Sequence, residues 1–150
     1  MWSFFTNPEY ELIFMLFTQK MNQNADFQRL YRSGAFCSLG SALIYVKPNG
    51  LPYNRLGITA GKKIGNAVKR NRAKRIIREA YRAAETQLPI GIDVVFVARS
   101  SLPEQSAVIL TERFCTRGVQ HCIGVSSGKI PCTPNPPYQK KRGKPSAKQP

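Results

Sequence analysis

The sequence predicts an α+β fold, an α/β sandwich in which about three helices pack on a mixed sheet of about four strands. Three stretches carry that expectation. Residues 55–61 alternate Leu56, Ile58 and Ala60 with Gly57, Thr59 and Gly61, the two-residue period of a half-buried strand with one crowded face. Residues 66–87 place Ala73, Ile76, Ile77, Ala80 and Ala84 on one stripe of a 3.6-residue wheel. Residues 92–98, Ile-Asp-Val-Val-Phe-Val-Ala, form an almost unbroken apolar run, as a strand covered on both faces requires. Strand, helix and strand in that order make a βαβ unit.

The flanking elements read as follows. Residues 24–34 form a short helix, with Asn24 or Asp26 as cap, Gly34 as terminator, and Phe27, Leu30 and Tyr31 on one face. Residues 35–47 are β-compatible, and Gly40 divides them into two strands or marks a bulge. Residues 48–54 hold two prolines, two asparagines and a glycine, a turn by composition. Asn66 caps the long helix, and Pro89 and Gly91 stop it. A last amphipathic helix is expected over 104–117.

Beyond Gly118 the composition turns to Gly, Ser and Pro and ends in the acid-free run Gln-Lys-Lys-Arg-Gly-Lys. The expected organisation is therefore a folded domain at 22–119 and a disordered basic tail at 120–150. Residues 1–21 are expected to be a flexible extension or a mis-assigned start. A chain beginning at Met21 should then fold as well as the whole. The extension is apolar, but Pro8, Glu9 and Glu11 interrupt it and leave Leu12 to Phe17 as its longest apolar run. A spanning helix needs roughly twenty such residues, so no membrane partner is expected.

Charge narrows the function. Among 150 residues, 23 Lys and Arg face 8 Asp and Glu, a formal charge of +15, which favours nucleic acid first and anionic membrane second. The excess concentrates in Lys62 to Arg75, where seven of fourteen residues are basic and none is acidic. Asn71, Arg75, Arg78 and Arg82 stand opposite the apolar stripe, flanked by Lys74. Only Glu79 and Glu85 are at hand as ion-pair partners, too few to neutralise the row.

Chemistry by this chain alone is not indicated. The acids Asp26, Glu79, Glu85, Asp93, Glu104 and Glu112 are scattered, with none of the paired spacing that holds Mg²⁺. Cys115, His121, Cys122 and Cys132 could be assembled into a zinc site only by force, because no C-x-x-C pair occurs; with Cys37 they read as free thiols. No P-loop spacing appears, although the glycines of 57–65 let a backbone approach phosphate. No catalytic residue and no metal ligand is therefore assigned. Three rivals stand beside an RNA-binding reading of this kind: an RNA-binding module of ribosomal-protein type, a protein for anionic membrane, and a self-sufficient nuclease.

The run Gly57-Ile-Thr-Ala-Gly-Lys-Lys-Ile-Gly-Asn-Ala-Val-Lys-Arg-Asn-Arg-Ala-Lys-Arg75 resembles the signature of the bacterial ribonuclease P protein component, with Arg70-Asn71-Arg72 at its centre. Asp26, Phe27, Tyr31 and Gly34 fit that family's first helix, and residues 93–99 its last strand. The resemblance covers about 22–119. It implies a left-handed βαβ crossover and a topology shared with a ribosomal-protein domain. It also implies an endoribonuclease subunit whose catalytic centre and Mg²⁺ belong to a partner, the ribonuclease P RNA. That catalytic RNA would meet Lys62, Lys63, Arg70, Asn71, Arg72, Lys74, Arg75 and Arg78. The 5′ leader of precursor tRNA, unpaired, would run along Phe27, Tyr31 and Tyr45, in a cytoplasmic complex of one protein with one RNA. Two positions depart from the family: Gly61 stands where Ser is favoured, and Lys20 is the only basic residue before Phe27.

Overall fold

The computed structural model describes residues 16–132. Five strands form one sheet: β1 (Thr18–Lys20), β2 (Ala35–Ser38), β3 (Ala42–Pro48), β4 (Asn54–Thr59) and β5 (Ile92–Ala98), in the order β1-β4-β5-β3-β2. The helices are α1 (Asn24–Ser33), α2 (Ala67–Ala84), α3 (Ala107–Arg113) and α4 (Val119–Ser126). β5 lies at the centre, parallel to β4 and antiparallel to β3. β4 and β5 are joined through α2, the expected βαβ unit.

The pleat divides the sheet into two packed faces. Ile44, Leu56, Val94 and Phe96 meet Ile77, Tyr81, Leu110 and Phe114 in the main core, under α2, α3 and α4. Val95 turns the other way, to Met21 and Leu30, with Phe27, Tyr31, Tyr45 and Val97 partly buried around them. The continuous apolar run of β5 is thus explained by cover on both faces. Fully burying one such side chain contributes roughly 1.5–3 kcal/mol.

Several expectations need correction. The sheet has a fifth strand, β1, inside the segment expected to be a flexible extension. It pairs in parallel with β4, Thr18 opposite Asn54, and Thr18 and Met21 are buried. Glu85, itself buried, accepts hydrogen bonds from the backbone N–H of Phe17 at 2.8 Å and from Thr18 Oγ1 at 2.9 Å. The folded domain therefore begins before residue 22, and a chain starting at Met21 lacks part of it. A three-residue strand is too short for its alternation to show.

Neither expected cap serves α1. Gln23 holds the cap position without a side-chain bond, and Asp26 pairs with Arg29 and Arg55 instead. Gly34 does end α1, where a Cβ would stand 2.6 Å from the Leu30 carbonyl oxygen. At Gly40 the chain makes a tight turn between two strands, closed by Leu39 N–H donating to the Ala42 carbonyl at 2.8 Å. α2 ends at Ala84, and residues 85–87 tighten into a 3₁₀ turn.

The last helix starts later and runs further than expected. Ser106 caps α3, a π-helical stretch follows at Phe114–Gly118, and α4 continues to Ser126 with Cys122 and Val125 buried. Residues 120–126 thus belong to the fold, not to the tail. Gly118, the point where the composition changes, is small so that the Phe114 ring can lie where its Cβ would be, 2.2 Å away. Residues 1–15 and 133–150, the rest of the expected extension and tail, lie outside the described residues. Among the described residues no helix is long and apolar enough to cross a membrane.

Candidate nucleic-acid interface

The cationic surface is built by one turn and one helix. Residues 62–64 form a 3₁₀ turn whose Ile64 is buried, which leaves Lys62 and Lys63 in solvent. Gly65 then takes φ +132°, a backbone that side chains resist, and redirects the chain. Asn66 caps α2 as its sequence suggests, its side-chain oxygen accepting from Lys69 N–H at 3.0 Å. Ala73, Ile76, Ile77, Ala80, Tyr81 and Ala84 bury the opposite stripe.

The expected row of cations is split by the neighbouring elements. Asn71, Arg72 and Arg75 are exposed and line a hollow against the start of α3. Lys74 and Arg78 are half-buried and turn the other way, toward α1. Arg70 is half-buried as well. Among the described residues, Lys62, Lys63, Arg70, Arg72, Lys74 and Arg75 make no ion pair; exposed Lys69 pairs with Glu104 at 3.6 Å. Such a pair contributes little. The charge of those six residues is left whole for a polyanion.

The aromatic surface lies on the other side of the sheet. Register puts Gly57 opposite Val95, Val95 opposite Tyr45, and Tyr45 opposite Phe36, one row across four strands. α1 covers the Gly57 end of that row. Tyr31 meets Tyr45 edge-on at 5.4 Å between ring centres, and Phe36 meets Tyr45 at 5.5 Å. Phe27 stands 6.5 Å from Tyr31. The Tyr31 hydroxyl is fixed to Thr59 Oγ1 at 2.6 Å, and burial raises its pKa above the ordinary phenol range against the lowering effect of that bond. Phe36, 49% exposed, is the open end of the series.

A network of charges pins α1 above this surface. Arg55 Nε donates to Asp93 Oδ1 at 2.8 Å, and its Nη1 reaches Asp26 of α1 at 3.3 Å. The Asp93 hydrogen bond raises the Arg55 pKa, more than its partial burial lowers it. Asp26 and Asp93 are thereby committed to structure. Among the described residues no group of three or more His, Cys, Asp or Glu is placed to hold a metal ion. Of the four sequence candidates for zinc, Cys115, Cys122 and Cys132 are free thiols, and His121 Nε2 sits 3.0 Å from the Ala35 carbonyl oxygen.

The cationic and aromatic surfaces touch at one place. Lys74 and Arg78 of α2 share a small hollow of about 90 Å³ with Phe27 of α1 and Lys20 of β1. A strand laid along the aromatic row would thus pass beside the guanidinium and ammonium groups of α2.

The sequence model of the family described as Ribonuclease P matches residues 15–116. The chain belongs to this family. Among its relatives, the ribonuclease P protein component of Alkaliphilus metalliredigens is 39% identical over 87 residues, spanning 58% of this chain and 78% of that protein. That of Caldanaerobacter subterraneus is 40% identical over 93 residues, spanning 62% and 80%. The fold is similar to that of the RNase P protein from Thermotoga maritima, with TM-score 0.61 and 26% identity over 69% of this chain and 96% of that one. The RNase P protein of Staphylococcus aureus gives TM-score 0.58 and 29% identity over 71% and 94%. The family match begins at residue 15, which includes β1.

Of the residues expected from sequence, the structure gathers Lys62, Lys63, Arg70, Asn71, Arg72 and Arg75 around the start of α2, and Lys74 and Arg78 at the junction. Phe27, Tyr31 and Tyr45 form one cluster, partly buried, so that they serve both core and surface. Phe36 escaped sequence reasoning, and Lys20 was noted only as the lone cation before Phe27. Phe36 extends the aromatic row, and pairing 35–38 with 43–46 across Gly40 would have revealed it. Lys20 reaches the junction only because β1 docks, for which no pattern was available.

Proposed function

We propose that this ribonuclease P protein is the RNA-holding subunit of the enzyme. The catalytic RNA docks on Lys62, Lys63, Arg70, Asn71, Arg72, Lys74, Arg75 and Arg78, and the unpaired 5′ leader of precursor tRNA runs along Phe27, Tyr31, Tyr45 and Phe36. The observation that carries this reading is the junction where Lys74 and Arg78 meet Phe27. Aromatic platforms beside a basic groove grip a single strand without reading its sequence. A leader lying there is delivered to the RNA bound on the neighbouring face.

In this reading cleavage, and the Mg²⁺ that assists it, belong to the RNA. The engagement of the buried and half-buried acids supports that assignment: Asp26 and Asp93 hold Arg55, and Glu85 holds Thr18 and Phe17. The complex is cytoplasmic, one protein to one RNA, and the protein contributes no cofactor. The test mixes the protein with a bacterial ribonuclease P RNA and precursor tRNA at low Mg²⁺. Leader removal by the pair, and by neither alone, is expected. Cleavage by the protein alone, or no effect of the protein on the RNA's activity, would overturn the proposal.

A further inference from the structure

A second hollow, of about 700 Å³, lies between α2 and the segment that opens α3. Its size falls within the roughly 300–1,000 Å³ of small-molecule sites. Val68, Arg72, Arg75, Ile76, Glu79 and Gln105 line it. Three features set it apart from the rest of the cationic face. Val68 is 75% exposed at its edge, and Val108, on α3 beside the lining residue Ala107, is 69% exposed. Glu79 is exposed and, among the described residues, makes neither ion pair nor side-chain hydrogen bond, although Arg72 and Arg75 line the same hollow. The Gln105 side-chain oxygen is shielded from solvent and has no hydrogen-bond partner among the described residues.

We propose that this hollow receives one unpaired nucleobase of the partner RNA, guanine by preference. The inference rests on the reading that α2 faces the catalytic RNA. A phosphate is not the occupant, because the Glu79 carboxylate would repel it. A carboxylate and an amide oxygen are acceptors only, and they need N–H donors. Guanine offers N1–H and its amino group side by side to a carboxylate, and it offers O6 and N7 to a guanidinium such as Arg72 or Arg75. The apolar edge made by Val68 and the Ile76 side chain suits the face of a base. The cations of α2 meanwhile hold the phosphates on either side, which is the charge complementarity that brings RNA to this place.

The test turns on a sign. Removing a negative charge from a surface that binds a polyanion should tighten binding if Glu79 is a bystander. The proposal requires the reverse. Glu79→Gln should weaken binding to a bacterial ribonuclease P RNA by about fivefold to a hundredfold, the worth of one good base contact. The salt dependence should keep its slope, since no phosphate contact is lost. Val68→Thr, at an exposed position, should also weaken it. In the wild-type complex one guanine should be protected from a reagent for the base-pairing edge, and Glu79→Gln should restore its reactivity. Tighter or unchanged binding by Glu79→Gln, or no guanine whose protection depends on Glu79, would overturn the nucleobase site while leaving the docking face intact. Failure of the wild-type protein to bind the RNA with a steep salt dependence would instead overturn the docking reading itself.

Discussion

The ring of Phe27 lies against Gly57 so closely that a Cβ there would stand 2.7 Å from both Cε1 and Cζ. This contact sets the height of α1 above the sheet, and hence the width of the aromatic cleft. Gly57→Ala should force the ring aside and cost about 1–3 kcal/mol, as overpacking does. Thermal melts of Gly57→Ala, Phe27→Ala and the double variant would test it. The double variant should be less destabilised than the two single changes summed, because the ring that clashes is gone. Simple additivity would show that the strain lies elsewhere.

Thr18 ties β1 to α2 through the Tyr81 hydroxyl, 2.8 Å from its Oγ1, and to the 3₁₀ turn after α2 through Glu85. Thr18→Val should cost about 1–3 kcal/mol, since it leaves buried polar groups short of partners. Starting the chain at Met21 removes Thr18 and the Phe17 N–H together, so its midpoint in urea should fall further still. An unchanged midpoint would mean that β1 is not part of the cooperative unit.

Alkaline pH should act on the same knot. Burial, first among the causes, raises the Tyr81 pKa well above its ordinary value of about 10, outweighing its hydrogen bonds. The folded state thus favours the neutral phenol. Its contribution is whole below that ordinary value and is lost as pH rises beyond it, where the unfolded chain ionises first. Tyr81→Phe should therefore lose less stability than wild type between neutral and strongly alkaline pH. Parallel stability curves for the two proteins would contradict this.

Reversing charge with Arg72→Glu and Arg75→Glu should cripple docking of the catalytic RNA without unfolding the protein, because both side chains are exposed. Each phosphate contact contributes roughly 0.7–0.9 to the slope of log K against log salt. Losing two such contacts, or one where the other guanidinium holds a base, should flatten the slope by about one to two units. A normal circular dichroism spectrum with an unchanged slope would show that this face does not meet RNA.

What was legible in the sequence, and what was not, follows from the length scale of each signal. The stripe of α2 repeats over about three turns, and Asn66 caps the helix by local chemistry, so the helix and its start could be read. The crowding at Gly57 was readable as a strand face of small residues, although its cause, Phe27, lies thirty positions away. β1 was not readable: three residues carry no period, and their anchors Tyr81 and Glu85 are more than sixty positions distant. The passage of the last helix through Gly118 was hidden by the Gly, Ser and Pro composition beyond it, whereas the contact with Phe114 decides the role of that glycine. Arg75 and Arg78 share one exposed arc on a helical wheel, and only the packing of α1 and α3 on either side sends them to different hollows.

Phe36 provides the cleanest probe of the proposed leader cleft. It was found only through register, opposite Tyr45, and its ring touches Tyr45 while half of its surface stays in solvent. Tyr31 is a poorer probe, because it is packed against the core under α1 and bonded to Thr59. Truncating it would mix lost stability with lost stacking. Stacking of a base on an aromatic is worth roughly 1–3 kcal/mol, so Phe36→Ala and Tyr45→Ala should each weaken precursor tRNA binding to the holoenzyme by about fivefold to a hundredfold. Mature tRNA, which lacks the leader, should bind almost as before. The decisive quantity is the ratio of precursor to mature affinity for wild type and each variant, once their melts are shown to agree. A ratio that falls for Tyr45→Ala and not for Phe36→Ala would end the cleft at Tyr45. A ratio unmoved by either change would assign these rings to packing alone and leave the leader without a place on this side of the sheet.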